Sequence, residues 1–375
     1  MYKGAMSLAT YLSGKPPGEG LPRFVLHSNS ISERGDSVAL LELSLALKTI
    51  RFDVMVVFWA GSDANSQERI EEFETLGIPC VSYRTREDLE LICENFQCSH
   101  FLTFSDGTKR GSAYCRDDPE NYRIGQTYHI VWAVFRVWEP HGDLYLYVSR
   151  WNYYSKFRNV LRRLFERSSH QTEKTRVSFL EHFLSVKESF GGASFRETVG
   201  IPDDSPVVGR IGGQDQFNDL VAQAAVLRVL RNQPDLYFVF VNTLKFTDHP
   251  RAIFVDQLSR SEVWDFYSAC QVLLNGRLMG ESFGFGIVES LRLGKPVVAP
   301  HWIRNLGMDK NHIKLLRGLG LLYRTEKHLA RIILRQVRTP LPPRLLTSRV
   351  KHTVPERGLK RLLSLILIKN EDRCE

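Results

Sequence analysis

No stretch of the 375-residue chain reaches the roughly 18 consecutive apolar residues that a bilayer-crossing helix needs, so no membrane-spanning segment is expected. The six cysteines, Cys80, Cys93, Cys98, Cys115, Cys270 and Cys374, include no C-x2-C pair, which leaves neither a zinc site nor a disulfide framework to expect. They read as reduced thiols of an intracellular protein, with the cytoplasm as the expected compartment. Missing too is a G-x-G-x-x-G turn after the first strand pattern. The polar loop His27 to Ser37 stands there instead, which argues against a dinucleotide-dependent oxidoreductase. No internal repeat and no low-complexity tract appear, so a solenoid or a disordered chain is excluded. The first residues carry one lysine and a short mixed run, too weak a pattern for a secretory signal. A formal charge of +8 is mild, and the basic tail lacks interleaved aromatic residues, so a nucleic-acid role is not expected.

What the chain does have is length and rhythm. At 375 residues with 43% hydrophobic content it exceeds the size of one core, so two domains are expected. Strand and helix patterns alternate: strands at 23–27, 53–59, 80–83, 100–104, 127–135 and 144–149, with helices at 37–48, 67–76 and 88–95 between the earlier ones. A charged helix and loop are expected over 156–176, and a last strand over 177–186. After a polar, glycine-bearing stretch the pattern restarts with a strand at 207–210, a helix at 219–231, a strand at 236–242 and a helix at 260–269. Such alternation implies parallel sheets covered on both faces. The expected division is an amino-terminal Rossmann-like domain over 1–186, a linker over 187–206, a second Rossmann-like domain over 207–338, and a basic tail with a terminal helix over 339–375.

The most specific signal lies in the second half. A strand pattern at 271–275 runs into Gly280-Glu281-Ser282-Phe283-Gly284-Phe285-Gly286-Ile287-Val288-Glu289, and Gly294-Lys295-Pro296-Val297-Val298 follows. This is a strand, a glycine-rich loop, a helix and a second strand. Glycines let the backbone approach a ligand, and the unpaired N–H groups of a first helical turn favour an anion such as a phosphate. Glu281, in the loop, is placed to accept hydrogen bonds from ligand hydroxyls. Glu289, about two turns into the helix, can reach the hydroxyls of a ribose.

This arrangement of two glutamates around S-F-G-x-G, ahead of Leu-Gly-Lys-Pro-Val-Val, resembles the donor-sugar signature of retaining GT-B glycosyltransferases of the family-four type. The resemblance covers about Arg23 to Arg335 and is strongest from Val207 to Pro300. It implies an α/β GT-B architecture, two Rossmann-like domains with parallel sheets facing across a cleft. It also implies transfer of a sugar from a nucleoside-diphosphate sugar to an acceptor with retention of anomeric configuration, without metal or other cofactor. The absence of a D-x-D strand-end motif agrees with a metal-independent site. The partners expected are the nucleotide sugar and a sugar, lipid or protein acceptor.

Residues just after each strand are then the ones to examine. Arg210 is expected at the diphosphate, where it would act with Glu281 in catalysis. The lysine that relatives carry a few residues later is missing, since Gln214, Asp215 and Gln216 stand there, so Lys245 or Arg277 would supply a second cation. Donor contacts are expected from Glu289, Ser282, Phe283, Gly284, Phe285, Gly286, Arg277, Asn242 and Lys245, and from Gly35 in the first loop. Asn242 has a turn-forming role as its alternative, and Arg277 a loop-capping one. Relatives often present a histidine to the sugar from the first domain, ahead of a small-Val-Phe triplet. Here Trp132 occupies that place, so His129 or His141 would substitute, with Asp106 facing the acceptor or forming a plain turn.

Two rival readings share the architecture. One is a nucleotide-sugar epimerase, which would need acid and base carboxylates that the sequence does not advertise. The other is a catalytically inactive nucleotide-sugar-binding or scaffold protein, suggested by the missing lysine and by Trp132. The tail stretch Leu359 to Lys369, apolar within and basic at its edges, is expected either to cross back to the first domain or to lie on an anionic membrane.

Overall fold

The computed structural model describes residues 22–32, 35–135, 137, 139–154, 175–186, 191–304 and 309–367. Two compact units divide the chain. One comprises Met1–Leu184 with Thr353–Glu375, and the other Ser185–His352.

The first unit is built on β1 (Arg23–Ser28), β2 (Asp53–Trp59), β3 (Cys80–Tyr83), β4 (His100–Ser105), β5 (Tyr128–Ala133), β6 (Leu144–Tyr147) and β7 (Arg176–Phe179). They form one seven-stranded sheet in the order β3-β2-β1-β4-β5-β6-β7, and every pairing is parallel. Parallel strands covered on both faces need apolar residues at successive positions, and β1 and β4 supply them. The helices α1 (Gly35–Thr49), α2 (Gln67–Thr75) and α3 (Arg86–Asn95) connect the early strands. Their starts follow ordinary capping chemistry. Ser66 accepts from Arg69 N ahead of α2, and Thr85 forms a capping box with Asp88 ahead of α3. The short helix α4 (Arg150–Tyr154) follows β6.

Helix α1 is buried nearly all round because two layers cover it. It packs on β1 and β2, and it meets the helix α12 (Pro355–Leu367) that returns from the end of the chain. Leu359, Leu362 and Leu363 of α12 are buried, each worth about 1.5–3 kcal/mol at most. Arg361 donates to the Phe179 carbonyl at 2.8 Å and lies 3.9 Å over the Phe179 ring, while Arg176 donates to the Leu365 carbonyl at 2.9 Å. Part of the apolar face that membrane contact would use is thus buried in the first unit, while Leu365, Ile366 and Leu367 are half-buried and the last two residues of the expected stretch, 368 and 369, lie outside the described residues.

The second unit carries β8 (Val207–Ile211), β9 (Tyr237–Val241), β10 (Ala252–Val255), β11 (Val272–Leu274), β13 (Val297–Pro300) and β15 (Leu322–Tyr323) in the order β10-β9-β8-β11-β13-β15. These pairings are also parallel. A separate two-stranded pair joins β12 (Gly280–Glu281) to β14 (Asp309–Lys310). The sheet is flanked by α6 (Leu220–Asn232), α7 (Arg260–Ala269), α8 (Phe285–Arg292), α9 (Asn311–Leu316) and α10 (Glu326–Arg338). Gly209 shows why α7 lies so close to its sheet: a Cβ there would stand 2.4 Å from Cys270 Sγ and 2.6 Å from the Phe266 ring.

Several boundaries differ from expectation. The stretch 187–206 is not a free linker. It carries α5 (Gly192–Thr198), which packs on α7, and Arg196 there donates to the carbonyls of Asp203, Ser205 and Ala269 at 3.0, 2.7 and 2.8 Å. Nor is 339–375 one tail. Its α11 (Pro343–Ser348) packs on α8 in the second unit, whereas α12 belongs to the first. The last strand of the first sheet ends at Phe179, because the chain beyond it is irregular. The expected helix over 156–176 falls almost wholly outside the described residues.

Three buried histidines make the first unit acid-sensitive. Burial pushes His27, His129 and His182 from the ordinary 6.5 down to about 3. Between those values the unfolded chain binds protons that the folded unit does not, so stability falls as pH drops below about 6.5. At pH 5 the loss reaches about 2 kcal/mol per ring. Calorimetry at pH 7.5 and pH 5 should show a transition moving down by many degrees, and an unchanged profile would contradict this assignment.

Candidate functional site

In the second sheet the strand order reverses between β8 and β11, and in open parallel sheets a ligand crevice lies at the carboxyl ends of the strands on either side of such a reversal. The chain leaving β11 is Asn275-Gly276-Arg277, and the chain leaving β8 is Gly212-Gly213. The sequence motif therefore starts at the reversal.

Gly284 caps α8 in the left-handed region, with φ +84°. A side chain there would be strained, and its Cβ would lie 3.2 Å from Glu281 Cβ. Ile287 and Val288 both donate to the Gly284 carbonyl at 3.0 Å. Phe285 and Gly286 are the first two residues of the helix, and a helix start offers backbone N–H donors beyond those that the intrahelical ladder uses. Phe283 is buried, packs edge-on against Phe285 at 4.9 Å, and its carbonyl accepts from Asn311 Nδ2 at 2.9 Å. Ser282 is half-buried in the loop.

Glu281 is held on both oxygens. Asn275 Nδ2 donates to Oε1 at 2.9 Å and Arg277 to Oε2 at 3.1 Å, and the side chain is 14% exposed. Glu289 is held as firmly from another helix, Arg260 reaching Oε1 at 2.9 Å and the Tyr267 hydroxyl reaching Oε2 at 2.8 Å. Asn275, Arg260 and Tyr267 were not singled out from the sequence. Only their distance to a glutamate makes them site residues, and no spacing rule states it.

Arg210 departs from expectation. It is 4% exposed, and its guanidinium donates to the carbonyls of Val241, Asn242 and Gly213 at 3.2, 2.9 and 2.8 Å and to Thr243 Oγ1 at 2.5 Å. It braces the loops after β8 and β9. Burial pushes its pKa down to about 10, so it stays charged at neutral pH. Asn242 adopts φ +47°, and its carbonyl serves that brace. Lys245 is exposed and pairs with Asp248 at 2.6 Å. Of the two candidate second cations, Arg277 alone lies beside Glu281.

Asp219, expected only as a helix start, does more. Fully buried, it caps α6 through Val221 N at 3.0 Å and accepts from Arg304 at 3.1 Å and from the Tyr323 hydroxyl at 2.9 Å. It ties the loop after β13 to the loop before α6. The capping role was legible, but partners 85 and 104 residues away were not.

Of the first-unit candidates, His129 and His141 both pack on the Tyr122 ring, at 5.7 and 5.1 Å, and Asp106 is close enough to act on the His141 charge. His129 sits inside β5, fully buried, with Nε2 3.2 Å from the Tyr114 hydroxyl and Nδ1 without a partner. His141 is also buried, its Nδ1 2.7 Å from the Glu139 carbonyl. Asp106 closes a local turn, accepting from Thr108 N at 2.7 Å and from Thr108 Oγ1 at 2.8 Å. Gly35 opens α1, where Ser32 N donates to Ser37 Oγ at 2.9 Å. His27, at the end of β1, was missed. It bridges Thr103 and Tyr83 at 2.8 and 2.7 Å, a role hidden inside an apolar run.

Two parallel sheets of seven and six strands, one in each unit, define the α/β fold of GT-B glycosyltransferases. A glycosyltransferase from Rickettsia africae superposes with a TM-score of 0.66 at 12% identity, over 92% of this chain and 97% of that one. HepE from Anabaena, solved in complex with UDP-glucose, gives 0.64 at 13% identity over 92% and 99%. Sucrose-phosphate synthase from Thermosynechococcus elongatus gives 0.61 at 13% identity over 94% and 99%. No protein-family model and no curated protein sequence matches the chain.

Proposed function

We propose that the protein is a metal-independent, retaining glycosyltransferase that uses a nucleoside-diphosphate sugar. The observation that carries this reading is the placement of Glu281, held by Asn275 and Arg277, beside the glycine-capped start of α8 at the strand-order reversal. Ligand chemistry follows from the parts. The N–H groups of Phe285 and Gly286 face a diphosphate, Glu281 accepts from sugar hydroxyls, and Glu289 accepts from the ribose. As the bond from the anomeric carbon to the diphosphate breaks, charge grows on the leaving oxygen. Fixed N–H dipoles and the Arg277 guanidinium meet that charge without reorganising. Arg210 contributes from behind the loops, as a buried charge rather than a contact.

The geometry of Arg210 supports a second reading, a protein that binds nucleotide sugars without turning them over. Its donors are taken by carbonyls, and no lysine follows it. A screen of UDP-, GDP-, ADP- and CMP-sugars separates the two. Stabilisation against heat by one nucleotide class together with slow donor hydrolysis is the expected result. Stabilisation without hydrolysis or transfer would favour the binding protein, and no stabilisation at all would remove both.

A further inference from the structure

The helix α7 contributes two residues to one carboxylate, and a third braces one of them. Tyr267, fully buried, donates its hydroxyl to Glu289 Oε2 at 2.8 Å, and the same hydroxyl lies 3.5 Å from the Gly286 carbonyl in the first turn of α8. Arg260 donates to Glu289 Oε1 at 2.9 Å, and its guanidinium lies 4.9 Å over the ring of buried Trp264. Glu289 is left only 7% exposed. A glutamate on a helix ordinarily samples several rotamers, but this one is fixed at both oxygens.

A carboxylate offers about four acceptor positions, of which Arg260 and Tyr267 occupy one on each oxygen. The remaining two lie in the plane that these bonds fix. Two fixed acceptors side by side match a vicinal pair of hydroxyl donors. We infer that Tyr267 and Arg260 are positioning residues that set the selectivity of the site for ribose over deoxyribose, acting through Glu289. The inference rests on the nucleotide-sugar reading of the site, and it adds the device that makes Glu289 selective. A site built to bond a hydroxyl rejects the analogue lacking it, because its acceptor is left unpaired. A mobile glutamate would turn to water instead and lose that penalty.

The test compares ligand pairs across variants. UDP, GDP, ADP and CDP are titrated beside dUDP, dGDP, dADP and dCDP into wild type, Tyr267→Phe, Arg260→Met, Arg260→Lys and Glu289→Gln. Wild type should bind one ribonucleotide at least tenfold more tightly than its 2′-deoxy counterpart. In Tyr267→Phe and Arg260→Met that ratio should fall to threefold or less, chiefly by weaker binding of the ribonucleotide, and Arg260→Lys should restore part of it. A purely structural role would weaken both ligands equally. If Tyr267→Phe and Arg260→Met keep the wild-type ratio while Glu289→Gln loses it, the positioning role is wrong and the ribose reading of Glu289 stands. If wild type binds a nucleotide without preferring ribose, the selectivity inference falls and a nucleotide site remains. If no nucleotide binds, the proposed function falls with it.

Discussion

Glu281→Ala should lower donor turnover by about a hundredfold to a thousandfold while leaving donor affinity nearly unchanged. The asymmetry follows from what the carboxylate touches. Its bonds to sugar hydroxyls matter most while charge is moving at the anomeric carbon, so their loss falls on kcat. Its removal also releases the Arg277 donor now 3.1 Å from Oε2, which strengthens the contact that Arg277 is proposed to make to the diphosphate. That release offsets the lost sugar contacts in the ground state. Steady-state kinetics on the donor found by the screen would check this. A raised KM with unchanged kcat would mean that Glu281 only binds, and no change would remove it from the site.

Arg210→Met should act on stability rather than on ligand affinity. The guanidinium satisfies carbonyls of Gly213, Val241 and Asn242 from inside the fold, and methionine satisfies none of them. Loss of hydrogen bonds from a charged donor to buried acceptors costs about 2–4 kcal/mol, a large share of ordinary domain stability. Urea denaturation should show that loss, and the remaining folded protein should bind nucleotide within about threefold of wild type. Unchanged stability with binding weakened a hundredfold would restore the direct diphosphate contact read from the sequence.

The contrast between Arg210 and Glu281 shows what a sequence carries. The glycine loop was legible because local rules govern it: an apolar strand, a glycine at the helix start, one carboxylate before the helix and one on it. Gly284 takes the left-handed conformation that such a turn needs. Both parallel sheets were legible from alternation, although β10 and β15 were not anticipated. By contrast, the direction of the Arg210 guanidinium depends on a loop 31 to 33 residues away, and the partners of Glu289 lie 22 and 29 residues back on α7. Tertiary packing decides such contacts. His129 is a candidate because the resembled enzymes present a histidine to the sugar from this part of the chain, but it is the second residue of β5, at the strand's amino end, and is fully buried.

The division of the chain carries the same lesson. Gly191 and Gly192 suggested a linker, yet Gly192 is where α5 touches α7: an added Cβ would stand 2.9 Å from Ala269 N. A glycine for close approach and a glycine for flexibility look alike in a sequence. The apolar run in α12 was equally ambiguous, and its partial burial against the first unit was settled by packing, not by composition.

Proton NMR of the purified protein with each nucleotide sugar, following the anomeric signal over time, tests the central claim most directly. The account predicts consumption of one donor class, a first-formed sugar product with the donor's anomeric configuration, and loss of that turnover in Glu281→Ala. Donors that remain intact with wild type, or a product of inverted configuration, would contradict it.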